Sequence, residues 1–345
     1  MVRAIDLFCG SGGMTLGFKK ARVETVCAID KRKDAIESFG MHTPDADIRC
    51  TDIRGADFAE YRGKVDLIYG GPPCQPFSTG GLRKGTQDSR NMIPSFLKAV
   101  EQVKPKALCI ENVPGLAVRS RIGHLLEVIE SIRMLGYRPQ WRVLTASEYG
   151  VPQKRRRLFI VALRDHVFRF PRPTHGPGTG RALIPSSKVI SHEPLGDPPN
   201  CPVIFAKAPD LRRSPYAGHI YNGGGRPVDL NAPCHTILAS AGGYKTHWID
   251  TEGIATKYHA HLLEGGEPWE GEVPGARRMT LIESALVQTF PKSMKFAGSL
   301  SSQYTQVGDA VPPKLAERVG RSIVAQMKVG GVHRSCSSPG ARPFS

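Results

Sequence analysis

The chain has 345 residues, enough to bury a large core, and its 47 Lys and Arg against 31 Asp and Glu leave a formal charge of +16. Such an excess suits a polyanion, nucleic acid first and an anionic membrane surface second. No apolar run approaches the ~18 residues of a membrane span, no charged-then-apolar leader opens the chain, and the eight cysteines include no Cys-x-x-Cys pair. The expectation is a cytoplasmic protein with no membrane segment, disulfide framework or metal site. His259 and His261 stand two residues apart but have no cysteine near them to complete a metal set.

In chain order, Ala4-Ile5-Asp6-Leu7-Phe8 reads as a strand, Cys9-Gly10-Ser11-Gly12-Gly13 as a glycine-rich turn, and 14–21, opening on Met14, as a helix. A strand, a glycine turn and a helix N-terminus form a site for a nucleotide-type cofactor, which serves NAD, FAD and S-adenosylmethionine alike. The next strand, 25–29, ends in Asp30, an acid at the right distance to accept from both ribose hydroxyls. Asp52 precedes Ile53 after a further extended stretch, placed to accept from an adenine amino group while Ile53 covers the ring. With Asp6, these acids stand at three successive strand ends. The run reads βαβαβ, a parallel doubly wound sheet.

Residues 65–69 form a short β-rich run, stopped by Gly70-Gly71-Pro72-Pro73-Cys74-Gln75-Pro76-Phe77-Ser78. Pro73 locks its own φ just before the thiol, holding Cys74 at the C-terminal end of an inner strand, where open α/β sheets bind ligands. Most free cysteines act as small core hydrophobes; this polar, turn-rich setting points to a nucleophile instead. Segment 78–90 has no apolar period and reads as a loop able to close over a substrate. A helix follows at 91–103, with Ile93, Phe96, Leu97 and Val100 on one face. The strand 107–110 delivers Glu111 and Asn112 beside the cysteine. Partial burial there raises a carboxyl pKa, letting Glu111 hold or share a proton at neutral pH. A helix at 122–135 and a strand at 141–144 lead to Gln153-Lys154-Arg155-Arg156-Arg157 and a strand at 158–163. Alternation puts Gln153, Arg155 and Arg157 on one side.

Composition changes at 171–199, where 11 of 29 residues are Gly or Pro. Short strand-like pieces at 203–205 and 236–238 lie between glycine clusters, so 170–276 is expected to be a second, smaller, loop-rich domain. Helical pattern resumes at 280–288 and 314–327. Residues 331–345 read as a disordered tail.

Six segments now stand in order: Asp6-Leu7-Phe8-Cys9-Gly10-x-Gly12-Gly13, Pro72-Pro73-Cys74-Gln75, Glu111-Asn112-Val113, Gln153-x-Arg155-x-Arg157, Arg277-x-Met279-Thr280-x-x-Glu283 and Gln306-x-Gly308-x-x-Val311-Pro312. Together they resemble the DNA (cytosine-5)-methyltransferases of bacterial restriction–modification systems. The resemblance implies a Rossmann-like S-adenosylmethionine-dependent catalytic domain over 1–169 and 277–330, with 170–276 as the target-recognition domain. It implies double-stranded DNA as partner, no metal, and a monomer. By resemblance, Cys74 attacks carbon 6 of a flipped-out cytosine, Glu111 holds ring nitrogen 3, and Arg155 holds the ring carbonyl with Arg157 supporting it. Asn112, Gln153 and Ser78 support the site. The cofactor would be lined by Asp6, Phe8, Gly10, Gly13, Met14, Asp30, Lys31, Asp52, Ile53, Pro72, Ile93, Ala310 and Val311. The family usually has asparagine where this chain has Asp309, whose extra charge is expected to repel the cofactor's carboxylate or to pair with a base such as Lys314. Two other readings remain: a tRNA cytosine methyltransferase, against which the family's tRNA-branch Cys-Phe-Thr tripeptide is missing from the second lobe, and a non-catalytic DNA-binding module, which needs none of Cys74, Glu111 and Arg155.

Overall fold

The computed structural model describes residues 1–73 and 91–332. In β1 (Val2–Leu7), alternation sends Ile5 and Leu7 to one face of the sheet and Ala4 and Asp6 to the other, and all four are buried. A strand buried on both faces needs helices above and below it. The following elements supply them: α1 (Gly13–Lys20), β2 (Val23–Asp30), α2 (Lys33–Gly40), β3 (Asp47–Cys50), β4 (Leu67–Gly70), α3 (Ile93–Val103), β5 (Ala107–Asn112), α4 (Ile122–Met134), β6 (Arg138–Thr145) and β7 (Arg156–Leu163). Phe96 and Val100 of α3 and Leu125 and Ile129 of α4 close over Ile5, Leu7 and Ile68 on one face. On the other face, Phe18 of α1 packs with Ala4, Leu67 and Tyr69, together with Leu315 and Val319 of the C-terminal helix.

The sheet order is β3-β2-β1-β4-β5-β7-β6. From β3 to β5 all pairs are parallel, as expected, but β7 runs antiparallel to both β5 and β6. The sheet is therefore mixed rather than wholly parallel. No helical crossover separates β6 from β7; the short stretch 146–155 suffices only for an antiparallel return. Strand order reverses between β1 and β4, whose neighbouring C-terminal ends open the crevice where doubly wound sheets take ligands.

Beyond β7 come β8 (Phe205–Asp210), β9 (His219–Tyr221), β10 (Trp248–Asp250), α5 (Ile254–Leu263) and β11 (Ala276–Arg278). Val203, Phe205, Tyr221, Trp248, Tyr258 and Val273 form a small aromatic core of their own. The expected strand at 236–238 is not formed: the N–H and C=O of Ile237 are taken by buried side chains instead of a partner strand. At 203–205 only Phe205 enters a strand.

The chain then returns to the sheet through α6 (Leu281–Val287), α7 (Leu300–Asp309) and α8 (Pro313–Val332). Thr280 and Glu283 form a reciprocal capping box at the start of α6, and Glu283 also takes Arg277 on both oxygens. That accounts for the Arg277-x-Met279-Thr280-x-x-Glu283 segment as a structural lock. Helices α5 and α7 were not expected from the sequence, and α8 runs five residues past the expected end at 327. The remainder of the expected tail, 333–345, lies outside the described residues.

His247 fixes part of the second lobe. Its Nδ1 accepts from the Arg226 N–H and its Nε2 donates to Thr236 O, each at 3.1 Å, an arrangement only the neutral ring can make. Burial, opposed by the Thr236 carbonyl and aided by His235, Arg226 and Arg278, lowers its pKa to about 4. An unfolded histidine titrates near 6.5, so between those values the unfolded chain binds more protons than the folded one. The stability this ring contributes is complete above about pH 6.5 and is lost as pH falls towards 4. Urea titrations at about pH 7.5 and about pH 5 are expected to differ by roughly 2 kcal/mol more in the native chain than in His247→Gln. Equal differences in the two chains would contradict this.

Candidate active site

At the β1/β4 crevice lies a cavity of about 470 Å³, within the usual range for a small-molecule or cofactor site. Its lining comes from the C-terminal ends of β1, β2, β4 and β5, the start of α1 and the stretch joining α7 to α8. Phe8 leaves β1 with φ 63°, in the left-handed region, and lines the cavity. A bulky residue held there costs about 1–3 kcal/mol, and such residues cluster at ligand sites. Gly13 opens α1; a side chain on it would begin 2.6 Å from the Val311 carbonyl oxygen, so only glycine lets that loop close against the helix N-terminus.

The acids at the strand ends have separate environments. Asp6 is buried and accepts from Thr15 Oγ1 at 2.5 Å; Thr15, Tyr69 and Thr25 continue the polar chain beneath the cavity floor. Burial pushes the Asp6 carboxyl well above the usual range, with Asp30 adding to the shift and the Thr15 bond opposing it. Asp30 accepts from the N–H groups of Gly10 and Arg32, which ties β2 to the glycine turn. Asp52 is half-buried and held by Arg54 through both oxygens, which lowers its pKa to about 2.

Of the residues expected at the cofactor site, Asp6, Phe8, Gly10, Gly13, Met14, Asp30, Lys31, Asp52, Ile53, Pro72, Ala310 and Val311 all line the cavity. Ile93 does not: it is buried in the core, and Met92 takes the place at the wall. Pro73 and Gln306, each within one of the six segments, also line it, as do Arg32 and Thr51, which no motif or spacing in the sequence marks. Among the described residues no group of three or more His, Cys, Asp or Glu is arranged to hold a metal. His259 and His261 each bond a backbone carbonyl, of Arg212 and Glu267.

At the other end of the cavity stands a buried ion pair. Glu111, at the end of β5, meets Arg157 of β7, Oε1 to Nε 2.9 Å. The register places Glu111 opposite Phe159 and Asn112 opposite Leu158, so Arg157 projects beyond the end of β5 into the cavity. Burial raises the Glu111 pKa, while Arg157 and then Arg155 draw it down. Asn112 donates to Pro72 O at 3.0 Å, and Met92 N–H donates to Pro73 O at 2.9 Å. Cys74, Ser78 and the segment 78–90 lie outside the described residues.

Arg155 and Gln153 are not where the shared-side expectation put them. Both are fully buried and neither lines the cavity. The guanidinium of Arg155 donates to the carbonyls of Ile237, Gly308 and Asp309. Strand geometry begins only at Arg156, so the alternation that would align Gln153 and Arg155 with Arg157 does not extend back to them. Arg157, expected as a support, is the arginine that faces the cavity.

Asp309 lines the cavity rim and pairs with Arg32 at 3.0 Å, not with Lys314. Both side chains are partly exposed, 48% and 34%, and such pairs contribute no more than about 1 kcal/mol. Asp309→Asn is therefore expected to be tolerated, with S-adenosylhomocysteine affinity by calorimetry changing by less than about fivefold. Loss of binding would show that the acid is required.

Taken together, fold and site define an α/β enzyme with a nucleotide-type cofactor cavity joined to a buried carboxyl–guanidinium pair. A sequence model of the C-5 cytosine-specific DNA methylases matches residues 2–178 and 233–325. Similar chains include the Type II methyltransferase M.AplI of Arthrospira platensis, 32% identical over 92% of this chain and 84% of that one. Type II methyltransferase M.Eco47II of Escherichia coli is 32% identical over 93% and 78%, and M.NgoMIV of Neisseria gonorrhoeae 29% over 94% and 98%. In fold, the chain resembles the DNMT2 crystal structure of Spodoptera frugiperda, with a TM-score of 0.67, 19% identity and coverage of 95% and 99%. The chain belongs to the C-5 cytosine-specific DNA methylase family. It is a DNA (cytosine-5)-methyltransferase of the bacterial Type II restriction–modification kind.

Proposed function

We propose that the protein methylates carbon 5 of a cytosine flipped out of one short duplex DNA sequence, through a transient bond to Cys74, and so protects that DNA from a cognate endonuclease. The observation that carries this reading is the single cavity that joins the glycine turn and Asp30 at one end to the Glu111–Arg157 pair at the other. S-adenosylmethionine fits the first end: Gly13 leaves the α1 N-terminus open, Asp30 faces the cavity to receive a ribose, and Ile53 offers an apolar wall. When bound there it supplies an electrophilic methyl group.

The chain's own residues then act on the base. Carbon 5 of neutral cytosine is a poor nucleophile. Addition of the Cys74 thiolate to carbon 6 moves an electron pair to carbon 5, which takes the methyl group. S-adenosylhomocysteine is left behind, the carbon 5 proton passes to solvent, its bonding pair re-forms the 5,6 double bond and the thiolate is expelled. Charge developing on the ring during addition is met by Glu111, whose proton is shared with nitrogen 3, and by Arg157 at the ring carbonyl. Asn112 holds the Pro72 carbonyl two residues before the nucleophile.

Chemistry on a stacked base is impossible, and extrusion costs a few kcal/mol. The excess positive charge supplies sequence-independent attraction for the duplex, with strong salt dependence. We assign recognition to 170–276, which has its own aromatic core and contains 179–232, the stretch unmatched by the family model. The protein is taken to act as a cytoplasmic monomer. Expression in a methylation-free bacterial host tests the reading: bisulfite sequencing should reveal protected cytosines in one short motif, with tRNA unmodified. Modified tRNA with unprotected DNA would replace this reading with the tRNA one.

A further inference from the structure

Arg155, Gln153 and Gln288 are fully buried, face neither the cavity nor solvent, and lie where three separate segments meet. Gln153 accepts from the Ile237 N–H at 3.1 Å, and Arg155 donates to the Ile237 carbonyl at 3.0 Å. Both polar groups of this one residue of the second lobe are thereby fixed from the sheet side. Arg155 also donates to Gly308 O at 2.7 Å and Asp309 O at 3.2 Å. Gln153 donates to Gln288 Oε1 at 2.9 Å, and Gln288 in turn donates to Val307 O at 2.6 Å and Ala310 O at 3.3 Å. The carbonyls of 307, 308, 309 and 310 are thus all held by this web. The last two of these residues, with Val311, form cavity wall.

The contact is close as well as polar. A side chain on Gly308 would begin 2.3 Å from the Leu238 carbonyl, so α7 touches the 238–239 backbone directly, and Thr305 Oγ1 donates to Ala239 O. Cys234 exchanges backbone bonds with Pro152 and Lys154 next to the web. A buried guanidinium that hydrogen-bonds only to carbonyls is an expensive way to stabilise a fold, because Glu111 and Asp309 favour its charge only from beyond ion-pair distance and none pairs with it directly. What such a group does well is fix several backbone segments in one geometry.

We propose that Arg155, Gln153 and Gln288 are positioning residues that couple the recognition lobe to the cofactor cavity, so that DNA seated on 170–276 tightens the Asp309–Val311 wall and cofactor binding reciprocally favours DNA. The inference rests on the lobe binding DNA as proposed above. Its test is the coupling between ligands: S-adenosylhomocysteine affinity measured by calorimetry with and without a duplex carrying the methylated motif. Allosteric couplings typically span about 5- to 150-fold, and the native chain is expected to lie at about tenfold. In Arg155→Lys and Gln288→Met the ratio should fall below about twofold.

Arg278→Lys serves as control. Arg278 is another buried arginine on carbonyls, of Cys201, Pro202 and Thr246, all outside the web. It should lower the unfolding midpoint and leave the ratio near native. No coupling in the native chain, full coupling in both web variants, or equal loss in the control would overturn the inference. A native chain that methylates no DNA would instead refute the functional reading beneath it.

Discussion

Cys74→Ala is expected to reduce methyl transfer to duplex DNA by more than about 10⁴-fold while leaving DNA binding close to native. The asymmetry follows from the chemistry. The charge that attracts phosphates is spread over 47 basic residues and the thiol contributes none of it. Without the sulfur, carbon 5 has no source of the electron pair it needs. Losing a nucleophile commonly costs many orders of magnitude, because the remaining residues are arranged to serve the addition it makes. Methylation persisting in Cys74→Ala at a rate within tenfold of native would reassign the nucleophile.

The second large effect is expected at Arg157. Its Nε lies 2.9 Å from Glu111 Oε1, with side chains 14% and 11% exposed, so the pair is largely out of water. Removing one partner of a buried pair costs about 3–5 kcal/mol, mostly because the other is stranded. In Arg157→Ala, Glu111 loses the largest influence drawing its pKa down, and the influences of burial and of Asp309 remain. The carboxyl should then hold its proton to higher pH and lose its alignment with the base. The single-turnover rate is expected to fall about 10²- to 10³-fold, with the alkaline limb of its pH profile displaced upwards. Arg155→Lys should instead act on ligand coupling and spare that profile. If Arg155→Lys displaced the limb and Arg157→Ala did not, the base contact would belong to Arg155 after all.

How far the sequence speaks depends on which physics writes each feature. The nucleotide-binding half was legible because buried strands, a glycine turn and acids at strand ends leave local marks: Ile5 and Leu7 alternate with Ala4 and Asp6, and Asp30 follows the turn at the expected distance. The direction of β7 was not legible, since an antiparallel return and a parallel strand share the same apolar run and differ only in the length of their connection. The placement of Arg157, rather than Arg155, at the cavity has a similarly local cause. Alternation predicts which residues share a side only within a strand, and β7 starts between them.

The second lobe was the least legible part. Its short strands sit among Gly and Pro, and Ile237 is held by side chains from far along the chain. A pattern that looks like a strand, Thr236-Ile237-Leu238, becomes a docking segment because its polar groups find partners no local rule anticipates. Arg32 was missed for the same reason: its partner Asp309 lies 277 positions away.

One measurement bears most directly on the central chemical claim. Duplex DNA carrying 5-fluorocytosine at the methylated site is mixed with the native protein and S-adenosylmethionine, then denatured. Fluorine cannot leave carbon 5 as a proton does, so the sulfur–carbon 6 bond should persist as a covalent protein–DNA species, absent for Cys74→Ala. Recovery of only free protein and free DNA, under conditions where unsubstituted duplex is methylated, would contradict catalysis through a bond to Cys74.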